Sequence, residues 1–442
     1  MKNNMSVDFI VAAGKSVRGS LQVPGDKSIS HRALMLGAIA VGQTRIRGFL
    51  DSEDTRATMH ALQQMGVNIE RQADDQICID GRGLFGLQAP DKPLDLGNSG
   101  TSVRLFAGLL AGQNFASELC GDESLMQRPM QRIVNPLQQM GARIECSKAG
   151  LLPIKIKGKN KLKGLSYSMP VASAQLKSAI LLAGLYAEGP TTVIEPALTR
   201  DHSERMLSYF GCEIEENGDK VCLKTVKLEA RDIDVPADIS SAAFFMVAAS
   251  IVPDSELLLE NVGFNPTRHA VVEILQLMGA DIEVGEERLR SGEPVADIRV
   301  RHAQLVGIDI PQVLVPIAID EFPVLMVAAA CAKGETRLSG AAELRIKESD
   351  RIMAMCEGLR EIGIVVEEYE DGMIVKGGQP SGGEVKSYGD HRIAMAFAIA
   401  ALGASAPITI RDCANVNTSF PGFSECFSSL GLVLNAKPGA VQ

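Results

Sequence analysis

Apolar positions in this chain come in blocks, and the blocks recur. From Ser28 an apolar run, SISHRALMLGAIA, leads into a short alternating stretch, a loop, an amphipathic segment and GVNIE. The same order returns from Gly100 (GTSVRLFAGLLAG, closing on GARIE), Ser173 (SAQLKSAILLAG, closing on GCEIE) and Ile239 (ISSAAFFMVAAS, closing on GADIE). Two further copies open at Asp320 and Asp390. Each copy predicts an apolar helix, a short strand, a loop, a second amphipathic helix ending at or near Gly, and a strand. The spacing, roughly 65 to 80 residues, is too long for a solenoid repeat of ~20–50. It fits a β-α-β-α-β-β unit, and six copies imply two α/β domains of three units each. The pattern breaks at Asp234-Val235-Pro236-Ala237-Asp238, and Val23-Pro24-Gly25 precedes the first copy in the same way. The expected division is 24–236 for one domain and 1–23 plus 237–442 for the other, the N-terminal strand VDFIVAA joining the C-terminal half.

Charge narrows the partners. Forty-four basic residues against 54 acidic ones give a net charge of −10 over 442 residues, which argues against nucleic acid, since counterion release needs a basic surface. The longest apolar stretches, such as Ile393 to Ala404, fall short of the ~18 residues of a membrane span. No charged-then-apolar leader opens the chain, so no export signal is expected. The nine cysteines are scattered and form no C-x-x-C pair. A cytoplasmic protein with reduced thiols is the expectation.

The cations sit in unusual places. A helix start carries unpaired N–H groups and about half a positive charge, and it favours acids or bound anions. Here Lys27 and Arg32 flank the first predicted helix start, Arg104 the second, and Arg128 precedes Pro129, read as the first residue of the next helix. Arg200 stands ahead of Asp201-His202-Ser203, Lys347 and Arg351 around Glu348-Ser349-Asp350, and Arg392 after Asp390 and His391. Recurrence at equivalent points of a repeat suggests an external anion. The plainer reading is pairing with neighbours such as Asp54, Asp201 or Asp350, or solvation. Gly14-Lys15-Ser16 lacks the upstream glycine of a phosphate-binding loop, since position 9 is Phe. His31, His202, His391 and the cysteines show no metal-ligand spacing.

The segments PGDKSISHRAL, LGNSGTSVR, QRPM, ASAQLKSA, TRDHSERM, IDEFPVLM, IKESDR, YGDHRIAMA and TSFPGF occur in order from residue 24 to residue 423. With them the chain resembles the 5-enolpyruvylshikimate-3-phosphate synthase family, in its bacterial form often called class II. The resemblance implies two inside-out α/β barrels with an active site in the interdomain cleft. It implies transfer of the enolpyruvyl group of phosphoenolpyruvate to shikimate 3-phosphate with release of phosphate, on the route to aromatic amino acids. By the same motifs, Lys27, Ser28, Arg32, Ser173, Ala174, Gln175, Arg200, Asp320 and Lys347 are expected to hold shikimate 3-phosphate. Lys27, Gly100, Arg128, Gln175, Arg351 and Arg392 are expected to hold phosphoenolpyruvate. Asp320 is expected to take the proton of the attacking 5-hydroxyl and Glu348 to protonate the methylene carbon, with Lys27 also catalytic. The resemblance implies no metal or organic cofactor, a monomer, and glyphosate as a competitor for the phosphoenolpyruvate site.

Three positions depart from the enteric type of the family. Ala174 replaces a second serine and removes one phosphate donor, Leu105 replaces a proline, and Thr418 replaces a lysine. A sister enzyme transfers enolpyruvyl to UDP-N-acetylglucosamine with a loop cysteine five residues before an Arg-Pro pair. Here that place is Glu123, and Cys120 lies eight before Arg128. A non-catalytic anion sensor would keep the cations but has no need of Asp320, Lys347 and Glu348.

Overall fold

A helix that is hydrophobic all round has to be buried all round, and the helices that open the repeats are. Every residue of Phe322–Ala330 is buried, as is all of Ile239–Ile251 except Ile251. Lys27–Ile39 leaves only its first two residues partly accessible. The computed structural model describes residues 6–73, 75–159 and 161–439. Within these the chain is mixed α/β and forms two compact units, each with its own apolar core. The first unit is Gly25–Pro236 with Leu289–Glu293. The second takes the described residues up to Pro24, Ala237–Arg288 and those from Pro294 onward.

One strand pattern serves nearly every sheet. In the first unit Leu94–Asp95 runs parallel to Ser117–Cys120, which is antiparallel to Ile154–Ile156, itself antiparallel to Ile144–Glu145. Ser166–Ser168, Thr191–Ile194, Lys220–Thr225 and Glu213–Asn217 repeat the order. The remaining sheet of that unit takes its parallel strand, Ile233–Asp234, from the far end of the unit's sequence, beside Val41–Arg47. The second unit borrows in the same manner. Arg18–Leu21 pairs in parallel with Glu256–Gly263, and Val7–Val11 lies between Ile408–Arg411 and Leu434–Pro438. The sheet Glu335–Leu338, Gly372–Lys376, Val365–Tyr369 has three strands. Its parallel partner shrinks to isolated bridges at Val306 and Asp309, in a stretch broken by Gly307 and Pro311.

Close packing and caps set the helix starts. Gly108 lets Gly100–Ala111 lie against Ala174–Gly184, for a Cβ there would stand 2.1 Å from the Ala179 carbonyl oxygen. Asp26, Ser99, Ser173, Asp238, Asp350 and Asp390 each accept a backbone N–H at a helix start. The expected start at Pro129 is corrected: the helix runs Gln131–Gln139. Arg128 N–H closes the turn after the short helix Glu123–Met126 by donating to Leu125 O, and Met130 N–H donates to Gly150 O. Those bonds hold Pro129 in the link between the two helices. Among the described residues no helix is long and apolar enough to cross a membrane.

The second core contains an aromatic cluster. Phe245 stands 6.1 Å, centroid to centroid, from each of Phe420, Phe423 and Phe427, and Phe423 stacks on Phe9 of the N-terminal strand at 6.5 Å. Phe245→Ala should destabilise the protein by about 3–5 kcal/mol through lost burial and a residual cavity. Calorimetric melting checks it, and a change under ~1 kcal/mol would mean that the neighbouring rings collapse into the space.

Candidate active site

The first unit gathers cations around the starts of three helices. Lys27 is the first residue of its helix, after the cap Asp26, and its ammonium pairs with buried Asp54. Arg32, one turn on, is itself buried. Its Nε donates to Ser203 Oγ at 2.7 Å, Nη2 to Ser178 Oγ at 2.7 Å and Nη1 to the Ser28 carbonyl at 2.9 Å. Burial pulls this guanidinium down to about 10, with Glu204 and Asp26 acting against the fall. His31 between them is held well below its ordinary value by burial, then by Lys27 and Arg32. Its Nδ1 lies 2.8 Å from Thr58 Oγ1, so this histidine is a neutral bridge between helices.

At the next helix start, glycine makes room for two guanidiniums. A Cβ on Gly100 would lie 2.9 Å from Arg128 Nη1 and 3.0 Å from Arg104 Nη1. Arg104 donates to Gln175 Oε1 at 2.6 Å, and Gln175 Nε2 donates to Thr101 Oγ1 at 3.0 Å. Arg128 is set by Asn98 Oδ1 at 2.9 Å, and Asn98 in turn by Asp122 at 2.7 Å. Gly100, Arg128 and Gln175 thus come together, joined by Arg104, which the sequence marked as a cation without assigning it to a substrate. Ser173 caps the helix that Ala174 begins, and Gln175 follows within its first turn. Arg200 stands two residues ahead of the helix His202–Tyr209.

In the second unit one buried guanidinium organises the expected acid–base residues. Arg351, 2% exposed, donates through Nε to Asp390 Oδ2 at 2.8 Å, through Nη2 to Glu348 Oε2 at 2.6 Å and through Nη1 to Asp320 Oδ1 at 3.3 Å. Burial alone would lower its pKa, but Asp390, Glu348 and Asp320 outweigh burial and raise it. Lys347 Nζ lies 3.5 Å from Asp320 Oδ1 and 2.8 Å from Glu343. Glu348 is not a helix cap, since Asp350 fills that place by accepting from Met353 N–H at 3.0 Å. Arg392 donates to the Asp320 carbonyl at 2.8 Å and lies 3.5 Å from buried Glu321. Asp320, Lys347, Glu348, Arg351 and Arg392 therefore form one cluster. Asp390 and Glu321, which the sequence reading left out of the site, hold its two arginines. Their signal was present, for each is an acid at the start of an apolar helix.

Comparison with known proteins settles the family. A model of EPSP synthase (3-phosphoshikimate 1-carboxyvinyltransferase) matches residues 11–427. The chain belongs to the EPSP synthase family. Proteins named 3-phosphoshikimate 1-carboxyvinyltransferase from Alkalilimnicola ehrlichii and Methylococcus capsulatus are 58% and 57% identical over 97% of this chain, covering 96% and 99% of their own lengths. A solved EPSP synthase from Acinetobacter baumannii is 50% identical, spans 98% of this chain and all of its own, and superimposes with a TM-score of 0.89. Within the EPSP synthase frame Cys120 is no loop nucleophile: it ends a strand, and burial, then Asp95 and Glu118, push its thiol up.

Asp390 gives the cluster a pH signature. Burial alone would raise its pKa, yet Arg351 prevails and holds it below the ordinary carboxylate value. A lowered folded pKa means the contribution is present above the unfolded value near 4 and is lost as pH falls through the folded one. Asp390→Asn should cost about 3 kcal/mol at pH 7, the low end for a broken buried pair because Glu348 and Asp320 still face Arg351. Melting temperatures of both proteins at pH 7 and at about pH 2, below the unfolded value, test this. The gap should narrow in acid, and a gap equal at both pH values would dismiss the ionic account.

Proposed function

We propose that the chain transfers the enolpyruvyl group of phosphoenolpyruvate to the 5-hydroxyl of shikimate 3-phosphate. The observation that carries this reading is the grouping of Asp320, Lys347 and Glu348 around Arg351, because binding alone has no use for an acid and a base beside one cation. Asp320 accepts the proton of the hydroxyl, with Lys347 beside it. Glu348 protonates the methylene carbon, which leaves the neighbouring carbon electron-poor and open to the hydroxyl oxygen. Loss of a proton from the new methyl group and departure of phosphate then restore the double bond, so atoms and charge balance.

In the same reading Lys27, Ser28, Arg32, Ser173, Ala174, Gln175 and Arg200 hold shikimate 3-phosphate. Gly100, Arg128, Gln175, Arg351 and Arg392, with Lys27, hold phosphoenolpyruvate. Both substrates are multiply anionic, which suits helix starts and arginine forks. Ala174 contributes backbone only. Acid, base and both substrates have to meet, which accords with inside-out barrels of three repeats and an active site in an interdomain cleft. The same reading takes the protein to work as a monomer. The nine cysteines are free thiols, which accords with a reducing cytoplasm.

Phosphate release tests the reading. It should require phosphoenolpyruvate and shikimate 3-phosphate together, and it should not occur with UDP-N-acetylglucosamine as acceptor. Glu348→Gln should lower turnover by ~10²–10⁴, the usual cost of a lost general acid, and should suppress solvent deuterium entry into the product methylene. Asp320→Asn should weaken shikimate 3-phosphate binding as well as turnover. Near-normal turnover in Glu348→Gln would remove that residue from the mechanism.

Glyphosate, an anion as phosphoenolpyruvate is, should compete for the Gly100 pocket. Gly100→Ala places a methyl against Arg104 and Arg128. It should raise the inhibitory concentration about 5- to 150-fold, as overpacking of a tight site costs about 1–3 kcal/mol. Equal inhibition of both proteins would show that the guanidiniums swing aside without penalty.

A further inference from the structure

Lys177, in the segment ASAQLKSA, is 1% exposed, so it cannot reach a substrate, yet it lies among the residues assigned to shikimate 3-phosphate. We propose that Lys177 is a positioning residue that fastens the segment carrying Arg200, and the serine partners of Arg32, for shikimate 3-phosphate. The proposal rests on the functional reading above.

The geometry has three parts. Lys177 Nζ lies 2.8 Å from Glu195 Oε2 and 2.5 Å from Glu204 Oε1, both carboxylates buried. It also reaches the carbonyl of Thr199 at 3.5 Å, while Thr199 Oγ1 donates to Glu195 Oε1. Thr199 is thus tied at its backbone and at its side chain, and Arg200 is the next residue. On the far side, Ser178 follows Lys177 and Ser203 precedes Glu204. Ser203 donates to Ser178 Oγ at 2.7 Å, and both hydroxyls hold the guanidinium of Arg32.

The sequence 195–204 needs such a fastening. Asp201, the cap of helix His202–Tyr209, makes no capping bond to a backbone N–H of that helix; its carboxylate accepts from the Arg205 side chain at 2.7 Å. The start of that helix is also held from the neighbouring helix Ala174–Gly184, through Lys177–Glu204 and Ser178–Ser203, while its first residue, His202, lies 2.7 Å through Nδ1 from Glu293 Oε1. Charge links the two sides as well: Lys177 pairs with Glu195 and Glu204, and Glu204 acts on Arg32 together with Asp26 and Glu293. Burial alone would lower Lys177, but Glu204 and Glu195 overcome it and keep the ammonium charged.

A structural ion cluster and a positioning device make different predictions. Thr199→Val leaves Lys177 and its two glutamates in place and cuts one tie of the segment. It should raise KM and Kd for shikimate 3-phosphate about tenfold, the worth of one hydrogen bond to a charged group. Turnover at saturation, KM for phosphoenolpyruvate and melting temperature should stay near wild type. Lys177→Met, paired with Glu204→Gln to limit buried charge, should give a larger loss of the same kind, and Lys177→Arg should recover part of it. Unchanged shikimate 3-phosphate binding in Thr199→Val and in the double variant, whatever their melting temperatures, would overturn the proposal. So would a uniform fall in every kinetic parameter. Wild type measured alongside separates the two failures: a wild type that releases no phosphate fells the functional reading and this one with it, whereas an active wild type with unaffected variants fells this one alone.

Discussion

A cation at a helix start meets the positive end of the helix dipole, and in this chain carboxylates placed beside those cations offset the conflict. Lys27 has Asp26 and Asp54, Arg351 has Asp390, Glu348 and Asp320, and Arg392 has Glu321 and the Asp390 cap. Each acid supplies an acceptor that the helix N–H groups lack or a charge that the cation lacks. The arrangement constrains everything around it, since the acids must be buried with the cations, and burial demands apolar helices on every other side.

That constraint also explains why the site's residues are held before any substrate arrives. A guanidinium with three carboxylates in contact is neither free to rotate nor free to lose its proton, so its remaining donors point where the cluster directs them. Rigid donors aimed in advance are what electrostatic catalysis needs, because no reorganisation is then left for the moment of reaction. In the first unit Gln175 and Asn98 do for Arg104 and Arg128 what the carboxylates do for Arg351, with neutral partners in place of charged ones.

In the proposed reading, these clusters bind the anionic groups of the substrates. The substrates carry phosphate and carboxylate groups, and anions of that kind suit helix starts crowded with arginine and lysine. The repeats supply those starts again and again. Evolution of a site from a duplicated unit would leave this imprint: equivalent helix starts carry cations in several copies, while Ile239–Ile251 carries none and serves instead as an apolar core helix capped by Asp238.

Periodicity made the six repeats legible, because helices that are apolar all round and end on glycine differ from amphipathic ones in composition as well as in period. The mixed α/β class followed from that alternation. The motif residues were legible too, as ordered segments with cations and acids at helix starts. Pairing was not. Nothing in VDFIVAA says that Val7–Val11 lies between Ile408–Arg411 and Leu434–Pro438, nor does local sequence place Ile233–Asp234 beside Val41–Arg47. Local preference misplaced the helix after Arg128, since bonds from Arg128 to Leu125 and from Met130 to Gly150 override the proline. Asp350 rather than Glu348 caps the helix that Arg351 begins, and burial puts two glutamates against Lys177, neither of which local sequence announces. Composition and period determine which faces must be buried, because that depends on each residue and its near neighbours. Which acid meets which cation depends on residues tens of positions apart, and only the tertiary structure brings those together.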